Sequence, residues 1–128
     1  MSINIEISVG ELLDKLTILE IKRERITDDT KLENVNKEFY VLNKLWEKSP
    51  FFNKPLEEDI KALKQVNEKL WVIEDEIRNK ERNKTFDEEF IDLARSVYFT
   101  NDERAEIKRR INLKTDSELV EEKSYKDY

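Results

Sequence analysis

The amino-acid sequence predicts an all-α protein: an elongated antiparallel bundle of about five helices with a short extended segment at the N-terminus. The 128 residues include one glycine and two prolines, and a sheet-rich fold would need many more turn residues. Charged residues make up 42% of the chain, and apolar residues recur at spacings of three and four. Together these features are typical of long helices with one apolar and one solvated face.

The composition limits the function. The length fits one domain, so we expect residues 1–128 to form a single helical domain. The chain has no cysteine and no histidine, which excludes thiolate chemistry and histidine-based catalysis. A metal site would need oxygen ligands alone, and we predict neither a metal site nor a cofactor.

Charge and hydropathy limit the partners and the compartment. The formal net charge of −6 disfavours nucleic acid and anionic membranes as partners. The N-terminus has no basic stretch followed by an apolar run, and no apolar segment approaches the ~20 residues of a membrane span. We therefore expect a cytoplasmic protein.

The first residues alternate between apolar and polar side chains, with Ile3, Ile5, Ile7 and Val9 on one side. This period of two predicts a short extended strand over residues 1–8, which would need a partner strand or a groove. The alternative is a disordered N-terminal segment whose isoleucines only pack against the surface of the bundle.

Helix starts are indicated by a serine or threonine followed three residues later by glutamate, the pattern of a capping box. The four matches are Ser8 with Glu11, Thr30 with Glu33, Thr85 with Glu88, and Thr100 with Glu103. Pro55 and the acids after it indicate a further start. With the apolar stripes, these signals predict helices over 9–26, 31–48, 55–82, 86–98 and 101–113, followed by a polar C-terminal tail over 115–128.

The break between the second and third predicted helices, residues 49–54, is short. Short connections make antiparallel neighbours, so we expect these helices to form a long antiparallel pair. Trp46 and Trp71 should then both be substantially buried. The outer side of the first helix carries Glu11, Asp14, Lys15, Ile18 and Lys22. We expect a solvated face there, because charges four apart, such as Glu11 and Lys15, pair with each other.

Long stretches of the chain resemble a known family. They are SVGELLDKLTILEIKRERI (8–26), KLENVNKE (31–38), VNEKLWVIEDEIRNKE (66–81), FIDLARSVYFTNDERAEIKRRIN (90–112) and LVEEKSYKDY (119–128). The chain is similar over nearly its whole length to an uncharacterised bacterial and phage family of unknown function. The resemblance implies a stand-alone small helical domain, and it implies no activity and no catalytic residue.

The first candidate site lies around the predicted turn between the fourth and fifth helices. Its residues are Arg95, Tyr98, Asn101, Arg104 and Lys108. Cationic and hydrogen-bonding groups beside the free amides of a helix N-terminus are suited to an anion. The alternative is that the arginines pair with nearby acids and only tie the bundle together.

The second candidate site is a polar seam on the third predicted helix. Its residues are Asn67, Trp71, Glu74, Asp75 and Arg78. A buried polar residue in such a seam fixes register and partner choice, and carboxylates lining a cleft could hold magnesium or act as a base. The alternative is an amphipathic border whose charges stay solvated.

We predict a helical interaction module that self-associates, because an elongated helical shape leaves apolar edges exposed. The expected partner is thus a second copy of the chain. The alternative is a protein that binds a small anion or a nucleotide phosphate, or an enzyme, using the Arg95 to Lys108 cluster. Glu89 and Asp92 match half of the E-E-x-x-E … E-x-x-D pattern of helical nucleotide pyrophosphohydrolases, but the first half is absent.

Overall fold

The structure, a computed structural model, describes all 128 residues and contains no strand. Its four helices are α1 (Val9–Arg25), α2 (Asp29–Glu47), α3 (Glu57–Arg82) and α4 (Glu88–Lys114). Helix α1 packs against each of the other three, and α3 packs against α4. The predicted all-α class is confirmed.

The prediction of about five helices is wrong by one, because the segments predicted over 86–98 and 101–113 form the single helix α4. Asp87 caps this helix, and its carboxylate accepts a hydrogen bond of 3.0 Å from the amide of Phe90. Thr100 lies inside the helix and is buried. No glycine or proline interrupts the segment, so packing against α1 outweighs the weak local preference of Thr100 for a cap.

The predicted start of α1 is confirmed, and the predicted start of α2 is two residues late. Ser8 caps α1 as predicted, and its hydroxyl accepts from the amide of Glu11 at 3.0 Å. Helix α2 begins two residues before the predicted start, because Asp28 caps it and accepts from the amide of Lys31 at 2.9 Å. Aspartate and threonine are both favourable N-cap residues. The capping-box pattern alone therefore does not show whether Asp28 or Thr30 caps the helix.

The predicted antiparallel pair of α2 and α3 is wrong, because α2 packs against α1 and α3 packs against α4. The reason lies in α1, where nine of 17 residues are buried. A helix that is buried on several sides accepts neighbours all round. Trp46 is buried as predicted, and Trp71 is less deeply buried than Trp46.

The N-terminal residues 1–8 form no strand. Ile3 and Ile5 are exposed, and Ile7 packs against the core. Extended backbone is stabilised by a neighbouring strand, and here there is none. The C-terminal residues after Thr115 also lie outside the helices.

The hydrophobic core lies where the four helices overlap. Its buried members are Val9, Leu12, Leu13, Leu16, Trp46, Leu56, Leu63, Val66, Ile107 and Ile111. Burial ends at Ile73 on α3 and begins at Thr100 on α4, and no residue between them is buried. We call residues 74–99 the distal hairpin. It is the part of the α3–α4 pair that reaches beyond α1.

Candidate functional site

A buried carboxylate, Asp14 of α1, joins three helices. Its Oδ1 atom accepts hydrogen bonds of 2.9 Å from Nδ2 of Asn67 on α3 and of 2.9 Å from Nε of Arg104 on α4. Its Oδ2 atom accepts from Nη2 of Arg104, which completes a fork between guanidinium and carboxylate. Asp14 is 1% exposed, so the expected solvated outer face at this position is wrong.

Two acids of α1 face two bases of α4, and within each pair the residues are about one helical turn apart. Glu11 and Asp14 are three residues apart on α1, and Arg104 and Lys108 are four apart on α4, so each pair shares a helix face. The ammonium of Lys108 donates to Oε2 of Glu11 at 2.8 Å and lies 3.9 Å from Oδ2 of Asp14. It also donates to Oε2 of Glu121 at 3.4 Å.

The pKa shifts of the two bases follow from these partners. Burial opposes the charged form of Lys108, but the hydrogen bond to Glu11 and the charge of Asp14 outweigh it and raise the pKa of Lys108. The hydrogen bond to Asp14 raises the pKa of Arg104. Both bases therefore remain protonated near neutral pH and cannot serve as general bases.

The only glycine of the chain lies where α1 approaches the backbone of α4. A Cβ atom added at Gly10 would lie 2.6 Å from the carbonyl oxygen of Lys108. The amide of Gly10 donates to Oδ1 of the buried Asn112 at 2.7 Å. Sequence reasoning did not identify this contact. The signal was a lone glycine in the first turn of a helix, where a side chain would normally be tolerated.

The structure brings together some of the anion-site candidates and separates others. Arg104 and Lys108 converge on the acids of α1, and Oδ1 of Asn101 accepts from Arg104 at 3.5 Å. Arg95 and Tyr98 are exposed, with Arg95 5.9 Å from the ring centroid of Phe99. The predicted free amides at residues 100 and 101 are absent, because both residues lie inside α4.

The polar seam is separated in the same way. Asn67 is buried, and its Nδ2 atom also donates to the hydroxyl of Thr17 at 3.0 Å. Trp71 is half-buried. Glu74, Asp75 and Arg78 are exposed, and the ion pair of 3.0 Å between Arg78 and Glu74 lies on the helix surface. Asn67 is thus the one seam residue in the Asp14 network. No group of three or more acids is arranged to hold a metal ion.

A second buried acid, Asp59, ties the start of α3 to the end of α4. Its two carboxylate oxygens accept hydrogen bonds of 2.7 Å from Arg110 and of 2.7 Å from Lys114. Burial alone would raise the pKa of Asp59, but these two cations outweigh burial and lower it. Sequence reasoning placed Asp59 only at a helix start, because its partners lie more than 50 residues away.

The C-terminal residues turn back along α4. Glu122 accepts from Arg109 at 2.9 Å, one residue after the contact of Glu121 with Lys108. The ring of Tyr128 lies 5.3 Å from Tyr98 and 4.8 Å from Phe99, centroid to centroid. The hydroxyl of Tyr128 donates to Asp102, and this bond raises the pKa of Tyr128 to about 12.

These features define the class of protein: a four-helix domain tied together by buried ion pairs, with an α-helical hairpin that projects beyond the core. Residues 3–128 match the protein-family model described as "Family of unknown function (DUF6165)", and the chain belongs to that family. This match confirms the resemblance to a family without a known function. No curated protein and no solved structure matches. No helix is both long enough and apolar enough to span a bilayer.

Proposed function

We propose that residues 1–128 form one helical interaction domain that self-associates through the distal hairpin. The observation that carries this proposal is that residues 74–99 include no buried residue and yet carry many large apolar side chains. These are Ile77, Phe86, Phe90, Ile91, Leu93, Val97, Tyr98 and Phe99. Of these, Phe86, Ile91, Tyr98 and Phe99 are exposed, and exposed large apolar side chains that cluster are typical of interaction sites.

Two helices alone cannot cover their apolar side chains. Among the helices, α3 and α4 have only each other as neighbours in the distal hairpin, since α2 packs on α1 alone. Phe86 and Ile91 remain 57% and 52% exposed. A second pair of helices laid on the first would complete a four-helix arrangement, which is the stable way to bury such stripes.

The charges of the hairpin favour a second copy as the partner. Arg82 and Lys84 at its tip form no ion pair, and neither do Asp75 and Glu76 at its base. In an antiparallel, two-fold arrangement Arg82 and Lys84 of one copy would lie beside Asp75 and Glu76 of the other. A two-fold interface would form each such ion pair twice, and these pairs would favour this alignment of the two copies.

The proposal is tested by the mass of the full chain in light scattering at tens of micromolar. We expect a dimer or a larger oligomer, and a monomer would contradict the proposal. The double variant Phe86→Ser/Ile91→Ser should raise the dissociation constant of the dimer by roughly tenfold or more, because it removes apolar area from each copy. Its folded state should change little, since both side chains are exposed.

A matched control lies on α2. Tyr40 and Val41 are each 59% exposed, so Tyr40→Ser/Val41→Ser removes a similar apolar area outside the hairpin. We expect this control to keep the association of the parent. If both double variants weaken association equally, the hairpin is not the interface.

Binding of a small anion or a nucleotide phosphate, with or without enzymatic activity, is the second candidate function. It is favoured by a small cleft of about 240 Å³ whose lining includes Arg104, Lys108, Lys123 and Asn101. It is weakened by Glu11, Asp14 and Glu121, which already neutralise those cations. A ligand would have to displace Glu121.

A thermal-shift titration with inorganic phosphate separates the two candidates. Any ligand selective for the folded state raises the melting temperature. A rise that Lys123→Ala abolishes would support the anion site, because Lys123 lines the cleft and has no ion pair in the bundle. The self-association proposal expects no rise.

A further inference from the structure

We infer that residues 117–128 form a detachable strap that competes with the second copy for the distal hairpin, so that the chain restrains its own association. The inference rests on the proposed function, because it names the regulation of the same surface. It is carried by the position of Tyr128, which packs on Tyr98 and Phe99 at the base of the hairpin.

The strap covers one end of the apolar surface. Ile91, Arg95, Tyr98 and Asp102 follow each other at spacings of four, three and four on α4, so they form one continuous stripe. Tyr128 stacks on Tyr98 and donates its hydroxyl to Asp102 in that stripe. A second hairpin that extends along the stripe would meet Tyr128, and one of the two must leave.

The path of the strap is set at the end of α4. The amide of Ser117 donates to the carbonyl of Asn112 at 2.9 Å, and Asp116 has a φ of 52°. This is a common way to end a helix and reverse the chain. From the helix end the strap must span about 24 Å to reach Tyr98, at ~1.5 Å per helical residue. Its extended residues can reach farther, at up to ~3.3 Å each.

The strap has one ion pair with a buried group, that of Glu121 with Lys108, and Lys108 keeps its hydrogen bond to Glu11 when the strap leaves. No residue after Thr115 is buried, so the whole buried core lies in residues 8–115. In the ion pair of Arg109 and Glu122 the two side chains are 48% and 73% exposed. Exposed ion pairs contribute little to stability. The bundle therefore keeps its core when the strap leaves, and a chain that ends at Ser117 should fold.

The test compares dimer dissociation constants by analytical ultracentrifugation. We expect the chain that ends at Ser117 to associate about tenfold more tightly than the full chain. In the full chain, Tyr128→Ala should give part of this shift without shortening the strap. Tyr125→Ala is the matched control, because Tyr125 lies in the same strap and is 81% exposed. It should leave the constant unchanged.

The outcomes separate the strap from the hairpin interface. If the full chain, the chain that ends at Ser117 and Tyr128→Ala share one dissociation constant, the strap inference is wrong and the hairpin proposal stands. If the shortened chain associates more weakly, the strap makes contacts between copies, and the inference also falls. If every form is a monomer, both fall. Adding Phe86→Ser/Ile91→Ser to the shortened chain should raise its dissociation constant by roughly tenfold or more, which would show that the gain in association depends on the hairpin.

Discussion

The α3–α4 pair has two halves with opposite surroundings. In the half that faces α1, polar side chains such as Asn67, Lys108 and Asn112 are buried and hydrogen-bonded. In the distal hairpin, apolar side chains such as Phe86 and Ile91 are exposed. Polar groups are buried only where partners satisfy them. The first half is therefore a completed interface within the chain, and the second is the surface that we propose for a second copy.

The largest expected effect is the loss of the buried carboxylate. Asp14→Ala leaves Arg104 and Asn67 without their shared acceptor and removes the negative charge 3.9 Å from the buried ammonium of Lys108. Removing one partner of a buried ion pair costs about 3–5 kcal/mol, and we expect the lower end because Arg104 is partly exposed. The free energy of unfolding, measured in urea, checks this.

The matched control for Asp14→Ala removes an acid of the distal hairpin. Glu74→Ala breaks the exposed pair with Arg78, and such pairs contribute less than about 1 kcal/mol. The two variants should differ clearly in their urea midpoints. Equal and small losses would contradict the view that the Asp14 network holds α1 against α4.

The comparison also explains which features the sequence could predict. The long helices and the Ser8 cap depend on residues within a few positions of each other, and local patterns find them. The continuity of α4 at Thr100 and the pairing of helices depend on contacts distant in the chain, and these predictions failed. A capping pattern carries no information on what packs over it.

The candidate site was predicted in the same partial way. Arg104, Lys108 and Asn67 were identified, since clustered basic residues and an asparagine beside an apolar stripe are visible in sequence. Their acceptor Asp14 lies 90 positions from Arg104 and was expected in solvent. Only the fold brings such a pair together, because an isolated i,i+4 pattern explains the same residues as surface charge.

The next effect concerns the close approach of α1 to α4. In Gly10→Ala the new Cβ atom would meet the backbone carbonyl of Lys108 at 2.6 Å, so α1 must shift. Overpacking of this kind costs about 1–3 kcal/mol, which outweighs the better helix propensity of alanine. Urea unfolding of this variant should lie between Asp14→Ala and Glu74→Ala.

A second variant tests whether the added Cβ atom at Gly10 clashes with the backbone of Lys108 or with the side chain of Asn112. The side chain of Asn112 also lies near the added Cβ atom, at 2.9 Å. We expect Asn112→Ala not to restore the stability of Gly10→Ala, because the backbone of Lys108 remains in place. Full recovery in the double variant would show that the side chain alone was the obstacle.

The smallest effect is expected at Thr100, which is buried in the completed half and whose hydroxyl has no hydrogen-bond partner. Thr100→Val keeps the branched shape and removes only that hydroxyl. Stability should stay the same or rise by up to about 1 kcal/mol. Thr17→Val is the matched control, because the Thr17 hydroxyl donates to the carbonyl of Asp14 and accepts from Asn67. Its loss should cost about 1–2 kcal/mol. If both valine variants lose the same stability, the hydroxyl of Thr100 has a partner in solution, and the completed half includes a further polar contact.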